Sequence, residues 1–208
     1  MQISSLEWYK KRYFFSKKTM KIVAFDIENS SVKFVKEYVL KNGKVLKSYI
    51  INELDNDLIS KFENAFSKMD FSPPFNIKDI NTRLSQGYFF SVGMIDENIV
   101  GWTWGGVKKV YFDDFFTYIN LEPENAFSFN SYVEKKYRGH DILKILIWNL
   151  VFSLKEQDYK KIWALIYPWN KSSIKAYINS GWTQDNSYLF INILGLKFHK
   201  PYKRKLKE

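Results

Sequence analysis

Residues 142–157 carry the strongest periodic pattern in the chain. Apolar side chains recur there at helical spacing, at Leu143, Leu146, Ile147, Leu150, Val151 and Leu154. This spacing predicts an amphipathic helix that buries one face. A wholly apolar run follows at 162–167, with the length of a strand from the interior of a sheet. Together these two segments predict a sheet with helices packed on it.

Shorter patterns on either side of this helix predict the remaining elements. Strands are expected over 21–27, 32–40, 45–51, 88–94, 99–104, 107–112, 127–133 and 188–196, and helices over 6–15, 58–69, 76–84 and 172–179. The first three strands are expected to form a small antiparallel set. Asp96-Glu97-Asn98 should join two strands as a hairpin, and Gly105-Gly106 should end the second of them. The predicted class is mixed α/β (α+β).

The residue types present exclude several kinds of active site. The chain has no cysteine, which removes disulfides, thiolate nucleophiles and Cys-ligated zinc. It has only two histidines, His140 and His199, so a His-rich metal site is excluded and no metal is predicted. The longest apolar run is far shorter than the about 20 residues of a membrane-spanning helix. Since the first residues also lack a signal-peptide pattern, a cytoplasmic location is expected.

The whole net charge of +10 lies at the two ends of the chain. Residues 1–23 and 197–208 together hold all of it, and residues 24–196 are neutral. A neutral body with basic ends does not predict specific nucleic-acid binding. The ends are expected either to stay solvated or to make weak contacts with a membrane or another polyanion.

A basic turn with a glycine precedes the long helix. Arg138, Gly139 and His140 lie between a predicted strand and that helix. The first N–H groups of a helix have no partner within it, and the positive end of the helix dipole lies there, so such a turn can bind phosphate. Gly139 would let the backbone approach a ligand closely. The same residues also fit an ordinary tight turn without a ligand.

Two motifs in this region resemble those of the GCN5-related N-acetyltransferase (GNAT) superfamily. The first family motif, V-x-P-x-Y-R-G-x-G-I, aligns with Val133, Lys135, Tyr137, Arg138, Gly139, Asp141 and Ile142, and the second aligns with Asn170, Ser173, Tyr177, Gly181 and Trp182. The motifs cover residues 131–182, and the order of elements agrees over roughly 50–195. Lys135 replaces the proline, Lys136 replaces a Gln or Arg, and Asp141 replaces a small residue. The Asp141 carboxylate would repel a pyrophosphate unless it turns away or caps the helix.

The resemblance implies a fold and a division of the chain. It implies a mostly antiparallel central sheet, flanked by helices, that splays between the strand 127–133 and the strand 162–167. Acetyl-CoA would lie in that gap. The acetyltransferase domain is expected over 51–199, preceded by a β-rich N-terminal extension over 1–50 that packs on it and followed by a basic tail over 200–208.

The resemblance also implies a set of site residues. The expected cofactor-binding residues are Tyr132, Val133, Arg138, Gly139, His140, Asp141, Ile142, Leu143, Asn170, Ser173 and Tyr177. Backbone groups near Tyr132 and Val133 would pair with the pantetheine, and the N–H groups of Arg138 to Leu143 would hold the pyrophosphate. Tyr177 is expected to be catalytic, as the acid that protonates the leaving thiolate. Its ring would suit plain core packing equally well.

The general base stays open at this point. Glu122, Glu124, Glu134, Asp113 and Asp114 lie near the relevant strands, and each is also suited to a solvated surface. A chain of water molecules would serve instead. His140 is expected at the cofactor or on the surface, and His199 is expected to be solvated in the basic tail.

The leading functional hypothesis is transfer of an acetyl group from acetyl-CoA to an amine of a small-molecule or amino-sugar acceptor. A cluster of aromatic residues, Tyr88, Phe89, Phe90, Trp102 and Trp104, could stack on a sugar or simply fill the core. Two alternatives remain. One is a catalytically silent GNAT-like module that docks polyanions or membranes, and the other is a protein or peptide acetyltransferase.

Overall fold

A computed structural model describes residues 16–69, 73, 75–115, 117–193 and 196–202 of the chain, without the side chains of residues 114, 185 and 202. Its strands are β1 (Ser16–Asp26), β2 (Glu37–Val39), β3 (Val45–Ile51), β4 (Phe89–Ile95), β5 (Asn98–Val107), β6 (Lys109–Phe112), β7 (Thr117–Asn120), β8 (Asn125–Val133), β9 (Lys161–Ile166), β10 (Thr183–Ile193) and β11 (Leu196–Tyr202). Its α-helices are α1 (Asn56–Ser67), α2 (Ile77–Ser85), α3 (Ile142–Lys155) and α4 (Lys171–Asn179). The class is mixed α/β, as the sequence predicts.

Nine strands form one sheet in the order β11-β10-β1-β9-β8-β5-β4-β3-β2, and β6 and β7 form a separate hairpin. Every neighbouring pair in the large sheet is antiparallel except β8 and β9, which are parallel. The mostly antiparallel sheet predicted from the sequence is therefore confirmed. None of the helices in the described part of the chain is long and apolar enough to cross a membrane.

The two faces of the sheet carry different cores. On the face of α1 and α2, large aromatic side chains such as Phe62, Phe90, Trp102 and Trp104 are fully buried. On the face of α3 and α4, the core is mainly aliphatic, with Leu146 and Leu150 of α3 at its centre. Alternation along β4 and β5 separates the two sets, since successive strand side chains point to opposite faces.

Strand β1 lies inside the sheet. It pairs with β9 from Lys21 to Asp26 and with β10 from Ser16 to Ala24. Strands β2 and β3 pair with each other near the opposite edge of the sheet. The expectation that the first three strands form one small antiparallel set is therefore wrong, because β1 pairs with β9 and β10 and not with β2 or β3.

The segment between β1 and β2 crosses over α3. Asn149 of α3 accepts a hydrogen bond from the Val35 N–H (2.7 Å) and donates one to the Val35 carbonyl (2.8 Å). Lys155 of α3 donates to the Ser30 carbonyl. Because helix side chains satisfy this backbone, the strand predicted over 32–40 shrinks to Glu37–Val39.

Several other local predictions need correction. Gly105 and Gly106 lie inside β5 and do not end it. The β4–β5 hairpin turns on two residues, Asp96 and Glu97, which both have positive φ, as a two-residue type I′ turn requires. Two strands, β10 and β11, replace the single strand predicted over 188–196. The helix predicted over 6–15 lies outside the described residues.

The C-terminal strand also changes the environment predicted for His199. Strand β11 continues to Tyr202, so the first residues of the predicted basic tail pair with β10. His199 is half-buried, its Nδ1 lies 2.9 Å from the Tyr188 hydroxyl, and burial lowers the pKa of the imidazole. The expectation of a solvated His199 is therefore wrong, because strand alternation turns its ring toward Tyr188 and Phe190.

Candidate active site

A bulge in β8 opens the sheet between β8 and β9. The β5–β8 register shifts between Trp102 and Trp104, and Asn130 opposite this shift has a φ of 48°. Such a bulge inserts a residue and bends the strand. Strand β8 pairs with β9 only from Asn125 to Ser128, so within the described residues its last part has no partner in β9. The splay predicted between these two strands is therefore present.

A cavity of about 720 Å³ lies at this opening. Its wall comes from the end of β8, the turn before α3, the first turn of α3, and α4: Ser131, Tyr132, Val133, Tyr137, Arg138, Gly139, Asp141, Ile142, Leu143, Lys144, Asn170, Ser172, Ser173, Lys175, Ala176 and Asn179, with Lys41 from the β2–β3 turn. The volume is in the range of small-molecule and cofactor sites.

Positive charge dominates the wall of this cavity. Lys41, Arg138, Lys144 and Lys175 contribute four cations, and Asp141 is the one carboxylate among the described lining residues. Such a wall favours a ligand with several negative charges. The three lysines were not predicted from the sequence. They come from three separate elements, and no local pattern marks them as neighbours.

The N-terminus of α3 faces the cavity without a side-chain cap. Asp141 is the N-cap residue, with a φ of 61°, and its carboxylate makes no capping hydrogen bond. The first amides of α3 thus keep their donors available. Gly139 has a φ of 82°, and no atom lies within 4 Å of the place where a Cβ would stand. The N–H of Arg138 already donates to the Lys135 carbonyl (3.3 Å), and its Nε donates to the Val133 carbonyl (3.0 Å).

Nine of the eleven predicted cofactor-binding residues line the cavity. The two that do not are His140 and Tyr177. His140 is half-buried, and its Nδ1 is enclosed without a hydrogen-bond partner among the described residues. Asn170 also caps α4, since its Oδ1 accepts a hydrogen bond from the Ser173 N–H (3.2 Å).

Tyr177 points its hydroxyl into the sheet beside the bulge. Its side chain is buried, and its hydroxyl oxygen lies 2.8 Å from Ser128 Oγ and 3.0 Å from Ser131 Oγ. Thr103 Oγ1 of β5 lies 2.7 Å from Ser131 Oγ and 3.3 Å from Ser128 Oγ. Burial raises the pKa of Tyr177, and the neighbouring hydroxyls of Ser128, Ser131 and Thr103 oppose that rise. The motif predicted Tyr177, whereas nothing in the local sequence indicated the other three hydroxyls.

The sequence of the middle of the chain matches a known family. A model of the acetyltransferase (GNAT) family matches residues 51–182, which is more than half of the chain. The chain belongs to this family. The resemblance inferred from the two motifs is thereby confirmed, and the cavity lies where those motifs meet. No curated protein matches the sequence.

Solved structures share the GNAT fold with this chain at low sequence identity. A protein assigned to the GNAT family from Novosphingobium aromaticivorans superposes with a TM-score of 0.54 at 11% identity, covering 84% of this chain and 63% of that one. The GNAT domain of S. lividans PAT gives 0.55 at 15% identity, covering 72% and 88%. A Drosophila protein gives 0.57 at 8% identity, covering 91% and 55%. The chain thus spans less than two thirds of the Novosphingobium and Drosophila proteins.

The carboxylates considered as a general base are not among the described residues that line the cavity at the gap between β8 and β9. Glu124 is ion-paired with Lys160, and Glu134 with Lys136, both at 2.8 Å. Asp113 lines a different cavity, and Glu122 is exposed. The side chain of Asp114 is outside the described set. The geometry therefore brings none of the described candidates to the gap between β8 and β9.

A second cavity lies on the other face of the GNAT sheet, between α2 and the β6–β7 hairpin. It also measures about 720 Å³ and is lined by Asp79, Thr82, Arg83, Gln86, Tyr88, Val107, Lys108, Lys109, Tyr111, Asp113, Tyr118 and Phe129. Of the predicted aromatic cluster, only Tyr88 lines it. Trp102 and Trp104 are 0% exposed, so these two side chains fill the core and present no face to a sugar.

Proposed function

We propose that the chain transfers an acetyl group from acetyl-CoA to an amine of a small-molecule acceptor. The observation that carries this proposal is the cationic cavity at the gap between β8 and β9, which meets the uncapped N-terminus of α3. A helix N-terminus with free amides favours a phosphate, and four surrounding cations favour a ligand with several phosphates.

The residues present fit coenzyme A in two ways. The amides from Gly139 to Leu143 would bind the pyrophosphate, and the room beside Gly139 leaves space for it. The edge of β8 near Tyr132 and Val133 would pair with the pantetheine amides as a strand would. The Arg138 N–H contributes less than predicted, because it already donates to Lys135. When bound, acetyl-CoA supplies an acyl group activated as a thioester.

Tyr177 is the proposed source of the proton that the leaving thiolate takes up. A phenol is a neutral donor as long as it stays protonated, and burial raises the pKa of Tyr177. We therefore expect a loss of this donor with rising pH only above the ordinary tyrosine value of about 10. Proton removal from the amine is assigned to water, since no described carboxylate candidate reaches the cavity.

The second cavity is the proposed place for the acceptor. It opens on the face of α1 and α2, and its volume suits a small molecule rather than a peptide chain. Its wall mixes Asp79 and Asp113 with Arg83, Lys108 and Lys109. Tyr88, Tyr111 and Tyr118 offer aromatic rings there, so an amino sugar remains among the proposed acceptors.

Binding of acetyl-CoA tests the proposal directly. We expect the parent chain to bind acetyl-CoA in calorimetry and to gain thermal stability from it by mass action. Gly139→Glu places bulk and negative charge at the proposed pyrophosphate site and should abolish that binding. Gly87→Glu is a matched control, because Gly87 also has a positive φ (79°) and open space but lies outside the cavity wall.

The outcomes separate the hypotheses. Equal affinity in both glycine variants would show that the pyrophosphate site is placed wrongly. A parent chain that binds acetyl-CoA but releases no thiol with any amine panel would favour a silent binding module. Release of thiol with amino sugars or polyamines, and not with peptides, would support the small-molecule acceptor.

A further inference from the structure

Four hydroxyl groups form a closed ring at the inner end of the cavity. Tyr177 contacts Ser128 and Ser131, and Thr103 contacts the same two serines, with oxygen–oxygen distances of 2.7 to 3.3 Å. Strand β5 supplies Thr103, β8 supplies both serines, and α4 supplies Tyr177. The bulge at Asn130 brings Ser131 back to the side of Ser128, so the ring exists because β8 bends there.

The number of protons in this ring limits what it can do. A hydroxyl has one proton to donate and can accept hydrogen bonds on its lone pairs. Four contacts use all four protons when every member donates once around the ring. No member then has a spare proton, so a donation to a ligand requires one member to turn out of the ring.

Only one member of the ring lines the cavity. Ser131 is part of the cavity wall, whereas Thr103, Ser128 and Tyr177 are not. These three are buried, with exposed fractions of 0%, 2% and 4%. A ligand in the cavity can therefore touch Ser131, and it meets Tyr177 only through Ser131.

Building on the proposed acetyl transfer, we propose that Ser131 is the catalytic hydroxyl that contacts the thioester sulfur and delivers its proton, and that Tyr177 acts through Ser131 as a positioning and proton-supplying residue. The amine nitrogen bonds to the thioester carbon, the carbon–sulfur bond breaks, and its electron pair stays on sulfur. The Ser131 proton moves to sulfur as the Tyr177 proton moves to Ser131. The proton that the amine loses goes to cavity water and returns through Ser131 to Tyr177.

The ring also explains how a buried phenol can give up a proton for a moment. After the transfer, the Tyr177 oxygen accepts hydrogen bonds from Ser128 and Ser131, and Thr103 continues to contact both serines. Hydrogen bonds to a charged oxygen are stronger than those to a neutral one. The charge thus rests on an oxygen that has two hydroxyl groups within 3.0 Å.

Three variants test this assignment in steady-state kinetics with the acceptor that gives turnover. Tyr177→Phe should lower kcat by roughly 10²–10⁴-fold, the usual weight of a general acid. Ser131→Ala should lower kcat by a similar factor, and the double variant should lose little more, because both residues serve one proton path. Ser131→Thr retains the hydroxyl and should recover most of the activity. Ser91→Ala is a matched control, because Ser91 is a buried strand serine whose hydroxyl has no hydrogen-bond partner among the described residues.

Solvent isotope effects give a second, independent measurement. With two protons in motion, the dependence of kcat on the deuterium fraction should be curved, and a single direct transfer from Tyr177 would make it linear. This measurement uses the parent chain and so remains decisive if Ser131→Ala fails to fold.

The failure of this inference differs from the failure of the proposed function. One result would overturn the Ser131 assignment alone. In that case the parent chain turns over, Ser131→Ala keeps kcat within a few-fold of the parent, and Tyr177→Phe loses much more. A parent that binds no acetyl-CoA, or never releases thiol, would overturn the proposed function and this inference with it.

Discussion

Asp141 stands where the family motif has a small residue. Its carboxylate stands beside the free amides of α3, makes no capping bond, and is the one acidic group among the described residues that line the cavity. The backbone there has a φ of 61°, a left-handed conformation that glycine adopts at no steric cost. The Asp141 carboxylate therefore does not stabilise the start of α3 by capping it, and its negative charge would repel the proposed ligand.

Asp141→Gly should tighten acetyl-CoA binding. Removal of one screened carboxylate beside a polyphosphate should lower the Kd about fivefold, corresponding to about 1 kcal/mol, and less at high salt. Because no cap is lost, the free energy of unfolding should not fall. Asp158→Gly is the matched control, since Asp158 is exposed and also has a φ of 61°. Calorimetry at two salt concentrations checks the change, and equal Kd values for parent and Asp141→Gly would contradict it.

Among the elements, the contact of α3 with β4 and β5 depends on small residues. A Cβ at Gly105 would lie 2.7 Å from a Leu150 methyl carbon, and a Cβ at Gly93 would lie 3.2 Å from one of Leu146. The glycines let the helix sit close to the sheet and so hold its N-terminus against the cavity. A helix at this distance from a sheet tolerates no added carbon without movement.

Gly105→Ala should destabilise the fold by about 1–3 kcal/mol through this overpacking. Urea denaturation of parent and variant measures the difference. Ser91→Ala in the neighbouring strand should be neutral or stabilising, because it removes a buried hydroxyl that has no hydrogen-bond partner in the part of the chain that the structure describes. An unchanged urea midpoint for Gly105→Ala would mean that Leu150 moves aside at no cost.

The elements also show that features encoded within one short segment could be predicted from the sequence, whereas contacts between distant segments could not. Helices α1, α2, α3 and α4 were predicted within a few residues, because capping residues and apolar spacing lie within each segment; Asn76, for example, caps α2 with a full capping box. Gly105 and Gly106 were interpreted as the end of a strand. A Cβ at Gly105 would instead meet Leu150 of α3, and one at Gly106 would meet Val110 and Phe129, which all lie later in the chain. The turn at Gly139 was predicted because its motif is contiguous, whereas the hydroxyl ring joins three elements and leaves no such pattern.

At the scale of the whole molecule, the position of β1 bears on where a domain boundary can lie. The family model begins at residue 51, and the predicted acetyltransferase domain also begins there. Strand β1 nevertheless lies between β9 and β10 and pairs with both. Without it, the backbone groups of β9 and β10 that face β1 would lose their partners, and the core would lose the buried side chains of Met20 and Val23. The boundary at 50/51 remains a prediction, and the position of β1 argues against its use as a cutting point.

A chain that starts at residue 51 should therefore fail to fold. Unsatisfied backbone groups and exposed core surface are each costly, and here they would occur along two whole strands. Circular dichroism melts and hydrogen exchange would compare it with the parent chain. A cooperative melt from the chain that starts at 51 would show that β9 and β10 can close without β1.

The position of β1 sets an order for events during synthesis. The ribosome makes β1 before both of its partners, β9 and β10, and Met20 of β1 pairs with Tyr188 of β10. Contacts between such distant positions form late and slow the folding of a domain. Strand β1 therefore stays without these two partners until β10 has been made, so this part of the sheet can close only after the whole segment from β1 to β10 has been translated.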